Sequence, residues 1–363
     1  MKASSIVFML LGGMIGLVSC KSEHSSLGHV SVVEQFPVSF QLESCSPMNV
    51  EIPGIYDIKC EDDTLYCLAQ NPAGMLSVLD LAGLKMQAQL LHFGRGPMEI
   101  MAPLTFNSMA FSKEKGETVL LLNNMQGKVL KVNVSRSVKA GDVKGNVMDS
   151  VPPSVARTPK YVWLKDGVYF YHQPSANQLT YERGFIVHGE KVQTVFQKQL
   201  NNVSVSRADG FLFNILGTNF GCNRELGRMV EASVMLNTIY LYDFDGIFSR
   251  IISYGGPPSD PLQLEQVGIE NLPCVYQSVR AFPHCFVALY RGDKLINPLG
   301  KKSALHFFDW EGSPLAEVEV PILASSFDID FAGKKLFALE TSSEKLYCYD
   351  LTGVLKRIHQ AEN

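Results

Sequence analysis

A short apolar segment recurs six times along this chain, and no other feature narrows the fold as much. The segments read TLYCLA, TVLLLN, VYFYHQ, RMVEAS, CFVALY and KLFALE. They begin at Thr64, Thr118, Val168, Arg228, Cys285 and Lys335, so successive starts lie 54, 50, 60, 57 and 50 residues apart. Such a period marks a repeat architecture, in which each unit buries its faces only against its neighbours. The segments are rich in Val, Leu, Tyr and Phe and are broken by Gly, Asp, Asn and Pro, the signature of strands and turns. No long helical pattern competes with it.

Each unit repeats an inner grammar. A second strand follows the first, as in MLSVLD, TIYLYD, ALHFFD and KLYCYD. These four end in one turn pattern, Asp80 to Gly83, Asp243 to Gly246, Asp309 to Gly312 and Asp350 to Gly353. Asp can accept a hydrogen bond from the backbone two residues on, and Gly supplies the positive φ of a tight return. A third strand then leaves the turn, as in IFSRIIS and VLKRIH, and a shorter one precedes each unit, as in GIYDIKC and SFDIDFA. Four strands in each of six units predict an all-β chain, a six-bladed β-propeller of four-stranded antiparallel blades. A pair of packed sheets would leave the sixfold period unexplained. The middle strands, covered on both faces, should be apolar almost throughout, as TVLLLN and CFVALY are. Two long loops, 172–184 and 291–303, should project from one face, where binding specificity usually sits. Ring closure is expected to recruit a strand near residues 36–44 into the last blade, making 36–363 one propeller domain.

The N-terminus carries a different signal. After Lys2, an apolar stretch of 13 residues runs from Ile6 to Val18. A spanning helix needs about 20 such residues, so residues 1–19 read as a cleaved signal peptide. Leu17-Val18-Ser19-Cys20 resembles the lipobox of bacterial lipoproteins, which implies lipidation of Cys20 as the first mature residue. Several acyl chains make a stable anchor, since each buried methylene contributes about 0.8 kcal/mol. The polar stretch that follows makes residues 20–35 a tether between anchor and domain.

Charge narrows the partners. The formal net charge is −4, with 32 basic and 36 acidic side chains, and loss of Lys2 with the leader takes it to −5. A mildly acidic chain without basic runs predicts no nucleic acid partner. Beyond Cys20 there are seven cysteines, Cys45, Cys60, Cys67, Cys222, Cys274, Cys285 and Cys348, with no CxxC spacing. An odd count leaves at least one unpaired within the monomer. Most lie in apolar runs and act as small hydrophobes. Cys60 and Cys67 could bridge only by facing each other across a hairpin.

The stretch HFGRGPMEI at 92–100 raises the question of a phosphate loop. A P-loop needs Gly-Lys-Ser/Thr opening a helix, and a dinucleotide fingerprint needs a third glycine where Glu99 stands. The stretch aligns with SYGGPPSDP at 253–261, which places Gly94 on Gly255, Pro97 on Pro258 and Glu99 beside Asp260. A loop that occurs twice after a blade's last strand reads as a connector, so no nucleotide is expected. Arg95 and Glu99 are placed to form a local ion pair, worth little energy. The sharper reading makes His92, Arg95, Glu99 and Asp260 candidate binding residues at the rim.

The lipobox, the six blades and Gly94-Arg95-Gly96-Pro97-Met98-Glu99 together resemble the TolB-like six-bladed β-propeller lipoproteins of Bacteroidota-type bacteria. The family loop runs roughly G-R-G-P-G-E, and Met98 departs from it. The resemblance implies an envelope-anchored propeller on the outer membrane of a Gram-negative cell, at the periplasmic face or the surface. It carries over no catalytic residues.

Catalytic patterns are otherwise missing. The eight histidines form no H-E-x-x-H spacing, and there is no G-x-S-x-G elbow. Trp163 and Trp310 are the only tryptophans, too few for a WD-type repeat. Neither a cofactor nor a metal is expected on this reading. The leading expectation is a non-catalytic binding or scaffold module for an envelope protein or a glycan. The alternative is a metal-dependent hydrolase or lactonase, since lactonase-like propellers hold a metal by scattered channel carboxylates. Asp57, Asp328 and Asp330, on inner strands, are the candidates for that role.

Overall fold

The computed structural model describes residues 24–25, 28–124, 127–150, 160–175, 179–207 and 215–361. Residues 1–23, which include the expected leader, the expected lipidation site Cys20 and the start of the expected tether, lie outside the described residues. Six small sheets follow one another along the chain and form the blades of a six-bladed β-propeller. Blade one comprises Ile55–Glu61, Thr64–Ala69, Leu76–Asp80 and Met86–Leu90. Blade two comprises Ala110–Glu114, Glu117–Asn123, Lys128–Asn133 and Gly145–Ser150, with helix α1, Val134–Ala140, before its last strand. Blade three comprises Lys160–Lys165, Val168–Pro174, Tyr181–Val187 and Glu190–Val192, followed by helix α2, Val195–Asn201. Blade four comprises Thr218–Asn223, Arg228–Ser233, Thr238–Asp243 and Ser249–Tyr254. Blade five comprises Pro273–Ala281, Cys285–Lys294, Ser303–Asp309 and Pro314–Val320. Blade six has three strands, Ser326–Asp330, Lys335–Glu340 and Lys345–Asp350, and then helix α3, Thr352–Ala361.

The six repeated segments are the second strands of the six blades. Being sandwiched between neighbours, they are buried on both faces: every residue from Thr118 to Asn123 is buried, as is every residue from Cys285 to Leu289. One interblade core joins Val287, Leu289, Leu305 and Phe307 of blade five to Phe327, Leu336 and Ala338 of blade six. Each fully buried Leu or Phe contributes about 1.5–3 kcal/mol, so the ring is held by its radial seams.

Three expectations need correction. VLKRIH is not a fourth strand of blade six; it lies in α3. Asp350 accepts from the Thr352 N–H (2.8 Å), and Leu351, Val354, Leu355 and Ile358 then recur at helical spacing. Their apolar stripe packs on the core between blades five and six. The second correction concerns ring closure. Ser39–Gln41 lies parallel to Pro314–Val320 of blade five, not in the last blade. Beyond it, the Met48 N–H donates to Leu346 O (2.7 Å), so only an irregular segment borders the edge of blade six. The ring closes instead through inner strands: the Ile58 N–H donates to Ser326 Oγ (3.3 Å) and the Cys60 N–H to Asp328 Oδ2 (2.7 Å). Thirdly, the domain starts earlier than residue 36. Gly28–Val33 lies parallel to Ser249–Tyr254 of blade four, with Val33 buried, so part of the tether stretch belongs to a sheet.

The Asp turns also divide. Asp80 Oδ1 accepts from the Gly83 N–H (2.5 Å), but Leu84, at φ +53°, takes the left-handed position. At Gly246 and Gly312 the glycine itself takes it, at +78° and +85°. Cys67 lies opposite Ile58 and Cys60 opposite Leu65, so the two thiols do not face across the hairpin. All seven cysteines from Cys45 to Cys348 are free.

Candidate functional site

The blades are antiparallel, so the strand starts nearest the axis share one face with the interblade connections and the loops between second and third strands. This mouth face carries both glycine loops and both long loops. The Asp turns lie on the opposite face.

Arg280 of blade five reaches across the axis and divides the channel. Its Nε donates to Phe327 O (3.0 Å), and one terminal nitrogen donates to Asn107 Oδ1 (2.5 Å). The other donates to Asp57 Oδ1 (2.5 Å), Ile58 O (3.0 Å) and Ser326 Oγ (3.2 Å). One guanidinium thus links blades five, six and one with the connection into blade two. Asp57 is satisfied in turn. Oδ1 also accepts from Ser326 Oγ (2.6 Å) and the Ile58 N–H (3.0 Å), and Oδ2 from the Phe106 N–H (2.9 Å).

A cavity opens on each side of this plug. The one on the mouth face, about 190 Å³, is lined by Tyr56, Asn107, Asn219, Phe220, Gln277 and several hydroxyl side chains. Among the described residues its only charges belong to the closed Arg280–Asp57 pair. The one on the turn face, about 360 Å³, carries Lys59, Glu61, Arg224 and Glu225. There Lys59 lies 3.5 Å from Glu61 and 3.8 Å from Asp328.

The channel carboxylates do not converge. Asp57 is engaged by Arg280, Asp328 Oδ2 takes the Cys60 N–H, and Asp330 accepts from the Gly333 N–H (2.8 Å) in the turn beyond the strand. Among the described residues, no group of three or more His, Cys, Asp or Glu is placed to hold a metal. Burial pushes the Cys60 and Cys67 thiols well above the ordinary thiol range, so neither is a thiolate nucleophile.

The rim residues separate into two loops of different construction. In the first, Glu99 turns inward and accepts from the Gly96 N–H (2.6 Å), while the Gly94 N–H donates to Ile100 O and the Ile100 N–H to His92 O. A Cβ on Gly94 would meet Glu99 Oε2 at 1.9 Å, so any side chain there must displace the Glu99 carboxylate. The expected Arg95–Glu99 ion pair does not form; His92 and Arg95 are exposed. In the second loop Gly255 and Gly256 adopt positive φ (73° and 148°). Asp260 there does not copy Glu99; it accepts from the Leu262 N–H (3.0 Å) and caps a short 3-10 turn. Asn237 holds this loop by accepting from Ser259 and donating to Tyr254 O and Pro257 O. The four rim candidates therefore do not form one site.

Sequence reasoning missed Arg280. Its signal is a lone arginine in the otherwise uncharged inner strand PCVYQSVRA. A second buried arginine, Arg183, was also missed.

A closed ring of six blades around a blocked axis defines the class, a six-bladed β-propeller. No protein-family model matches the chain, and no curated protein matches it. Among solved structures it is similar to a member of the duf4221 family from Bacteroides vulgatus, at 12% identity and TM-score 0.50, over 86% of this chain and 94% of that one. It is also similar to a "Putative exported protein" from Bacteroides fragilis, at 13% identity and TM-score 0.48, over 85% and 88%. At these identities the likeness concerns the fold alone. Among the described residues, no helix is long and apolar enough to cross a membrane.

Proposed function

We propose that this chain is an outer-membrane lipoprotein of the TolB-like propeller kind, anchored through Cys20, whose propeller is a non-catalytic module that binds a glycan or an envelope protein at its mouth face. The observation that carries the reading is the lining of the mouth cavity. Asn107, Asn219, Gln277 and the partly exposed Tyr56 offer neutral hydrogen-bonding groups and one aromatic ring, above a sealed ion pair. Such a lining suits hydroxyl- or amide-bearing ligands, whose polar groups need partners and whose apolar faces need flat surfaces. A saturated Arg280–Asp57 pair leaves no acid or base at the cavity floor with a free oxygen to move a proton.

The test is titration of the soluble domain with neutral oligosaccharides and with extended peptides, followed by NMR shifts. Binding of either class should weaken about tenfold in Asn219→Ala/Gln277→Ala. Metal-dependent turnover of a lactone or ester by the purified domain, lost in Asp328→Ala, would sink the proposal and restore the hydrolase alternative. The anchor is tested separately: Cys20→Ser should abolish incorporation of labelled palmitate and release the protein from membranes. Protease treatment of intact cells then decides between the surface and the periplasmic face.

A further inference from the structure

Two arginines are buried among the described residues, and they differ in one respect. Arg280 makes five hydrogen bonds. Arg183, on the third strand of blade three, is only 2% exposed, yet among the described residues its guanidinium donates none. Its Nε lies 3.4 Å from Glu231 Oε2 of blade four, an ion pair across the seam. Its terminal nitrogens are left over.

Glu231, fully buried, is served by other donors. Thr218 Oγ1 donates to Oε2 (2.5 Å) and the Tyr242 hydroxyl to Oε1 (2.5 Å). Burial and then the Glu231 charge hold the Tyr242 phenol well above its ordinary range, so it stays a donor. The carboxylate is thus solvated by two hydroxyls besides Arg183, and the fork of the guanidinium remains free to take a second acceptor.

That fork borders a cavity of about 110 Å³ between blade four and the connection after α2. Leu200, Leu216, Leu236 and Ile251 line it, all buried. Thr238 and Tyr240 add hydroxyls. The rim is the second glycine loop, through Pro258, Ser259 and Pro261, of which the first two are exposed. The cavity therefore has an apolar body, a cationic end and an outer rim of Pro and Ser.

We propose that this cavity is a binding site for a short aliphatic carboxylate, its two oxygens on the terminal nitrogens of Arg183 and its tail among the leucines. Arginine presents parallel donors that match a carboxylate, and such charge-assisted bonds are among the strongest available. An apolar cavity of about 150 Å³ accommodates benzene, so 110 Å³ suits a chain of about three to five carbons. The site is distinct from the axial mouth, and its failure leaves that reading untouched.

The experiment is a titration of the soluble domain with sodium butyrate, followed by NMR, with butyramide and butylamine as controls. Saturable binding of butyrate is expected, weaker by about tenfold or more for butyramide and absent for butylamine. Arg183→Lys should lose about tenfold in affinity, since the fork is replaced by a point charge. Removing the cation risks the fold, because Glu231 would be stranded. Val203→Phe, half-buried on the cavity wall, fills the tail space and leaves the ion pair intact; it should weaken butyrate by a similar factor. No saturable binding of butyrate, equal binding of butyramide, or full affinity in folded Val203→Phe would each overturn the proposal.

Discussion

Arg280 spans the axis on five hydrogen bonds, and its removal leaves the Asp57 carboxylate without its counter-charge and Phe327 O and Asn107 Oδ1 without their donor. Breaking a buried pair from one side typically costs about 3–5 kcal/mol, because the remaining charge is uncompensated. Arg280→Met should therefore lower the unfolding free energy by about that amount, and adding Asp57→Asn should recover part of it. Thermal and urea unfolding check both; equal stability of single and double variants would remove the pair from the account. Gly94 carries a smaller prediction. Its substitution by Ala pushes the Glu99 carboxylate off the Gly96 N–H, at a cost of about 1–2 kcal/mol. Glu99→Ala loses the same bond, so the double variant should be scarcely worse than either single one. Additive losses in urea unfolding would show that Gly94 does something else. At this scale the sequence told only half of the story. The motif G-R-G-P-M-E pointed correctly to a connector, but an ion pair between Arg95 and Glu99 was the natural guess. Nothing in residue order says that a carboxylate will fold back onto its own loop. Arg280 and Arg183 are equally silent, because their partners come from other blades.

Elements were far more legible than sites. Strand starts at Thr64, Val168, Arg228, Cys285 and Lys335 coincide with the segments read from hydrophobic runs, and the segment from Thr118 begins one residue later than its strand. A run sandwiched between two blades must be apolar almost throughout, and that demand is local. The misreadings lie where the repeat ends. Analogy with IFSRIIS makes VLKRIH a strand, whereas Leu351, Val354, Leu355 and Ile358 stand at helical spacing. The N-terminal strands were hard to place because an outer edge accepts any extended segment; its register is set by long-range contacts. That edge is nevertheless managed. Ser39–Gln41 covers blade five, and Phe40 packs with Leu355 and Ile358 of α3 in one core. An uncovered edge strand invites pairing with other chains, so this cover also protects the fold. Val354 of α3 is fully buried against the core between blades five and six. Val354→Asp should undock the helix, since an unpaired carboxylate there costs several kcal/mol. Hydrogen exchange should then accelerate first in Lys345–Asp350 and Pro314–Val320, with blades two and three still protected. Uniform acceleration around the ring would mean that the helix supports the whole closure and not one seam.

Cooperation across the whole ring is visible at His306, where blade four, blade five and the N-terminal segment meet. The imidazole is fully buried, stacks on Tyr290 and touches the rings of Phe36 and Tyr254. Its Nε2 lies 3.1 Å from Glu317 Oε1, while Nδ1 has no partner among the described residues. Protonation would place a buried N–H at Nδ1 with nothing to accept it. Burial accordingly lowers the His306 pKa below its usual 6.5, against the pull of Glu317. Glu317 is also held below its usual 4.5, first by the His306 hydrogen bond. For both groups the unfolded chain binds protons more readily than the folded one, so stability rises with pH. The His306 contribution is fully present above about pH 6.5 and is lost as pH falls toward the folded value. The Glu317 contribution is lost only below about pH 4.5. The melting temperature of the domain should therefore be level above neutrality and decline from about pH 6.5 downward, one proton accounting for at most about 1.4 kcal/mol per pH unit. His306→Phe keeps an aromatic ring in the stack and removes the titrating group, while the Tyr254 hydroxyl still donates to Glu317 (3.0 Å). That variant should hold its melting temperature level down to about pH 4.5, where the carboxylates begin to protonate. A decline between pH 6.5 and 4.5 as steep as in the parent would assign the acid sensitivity to other groups and leave His306 a packing residue only.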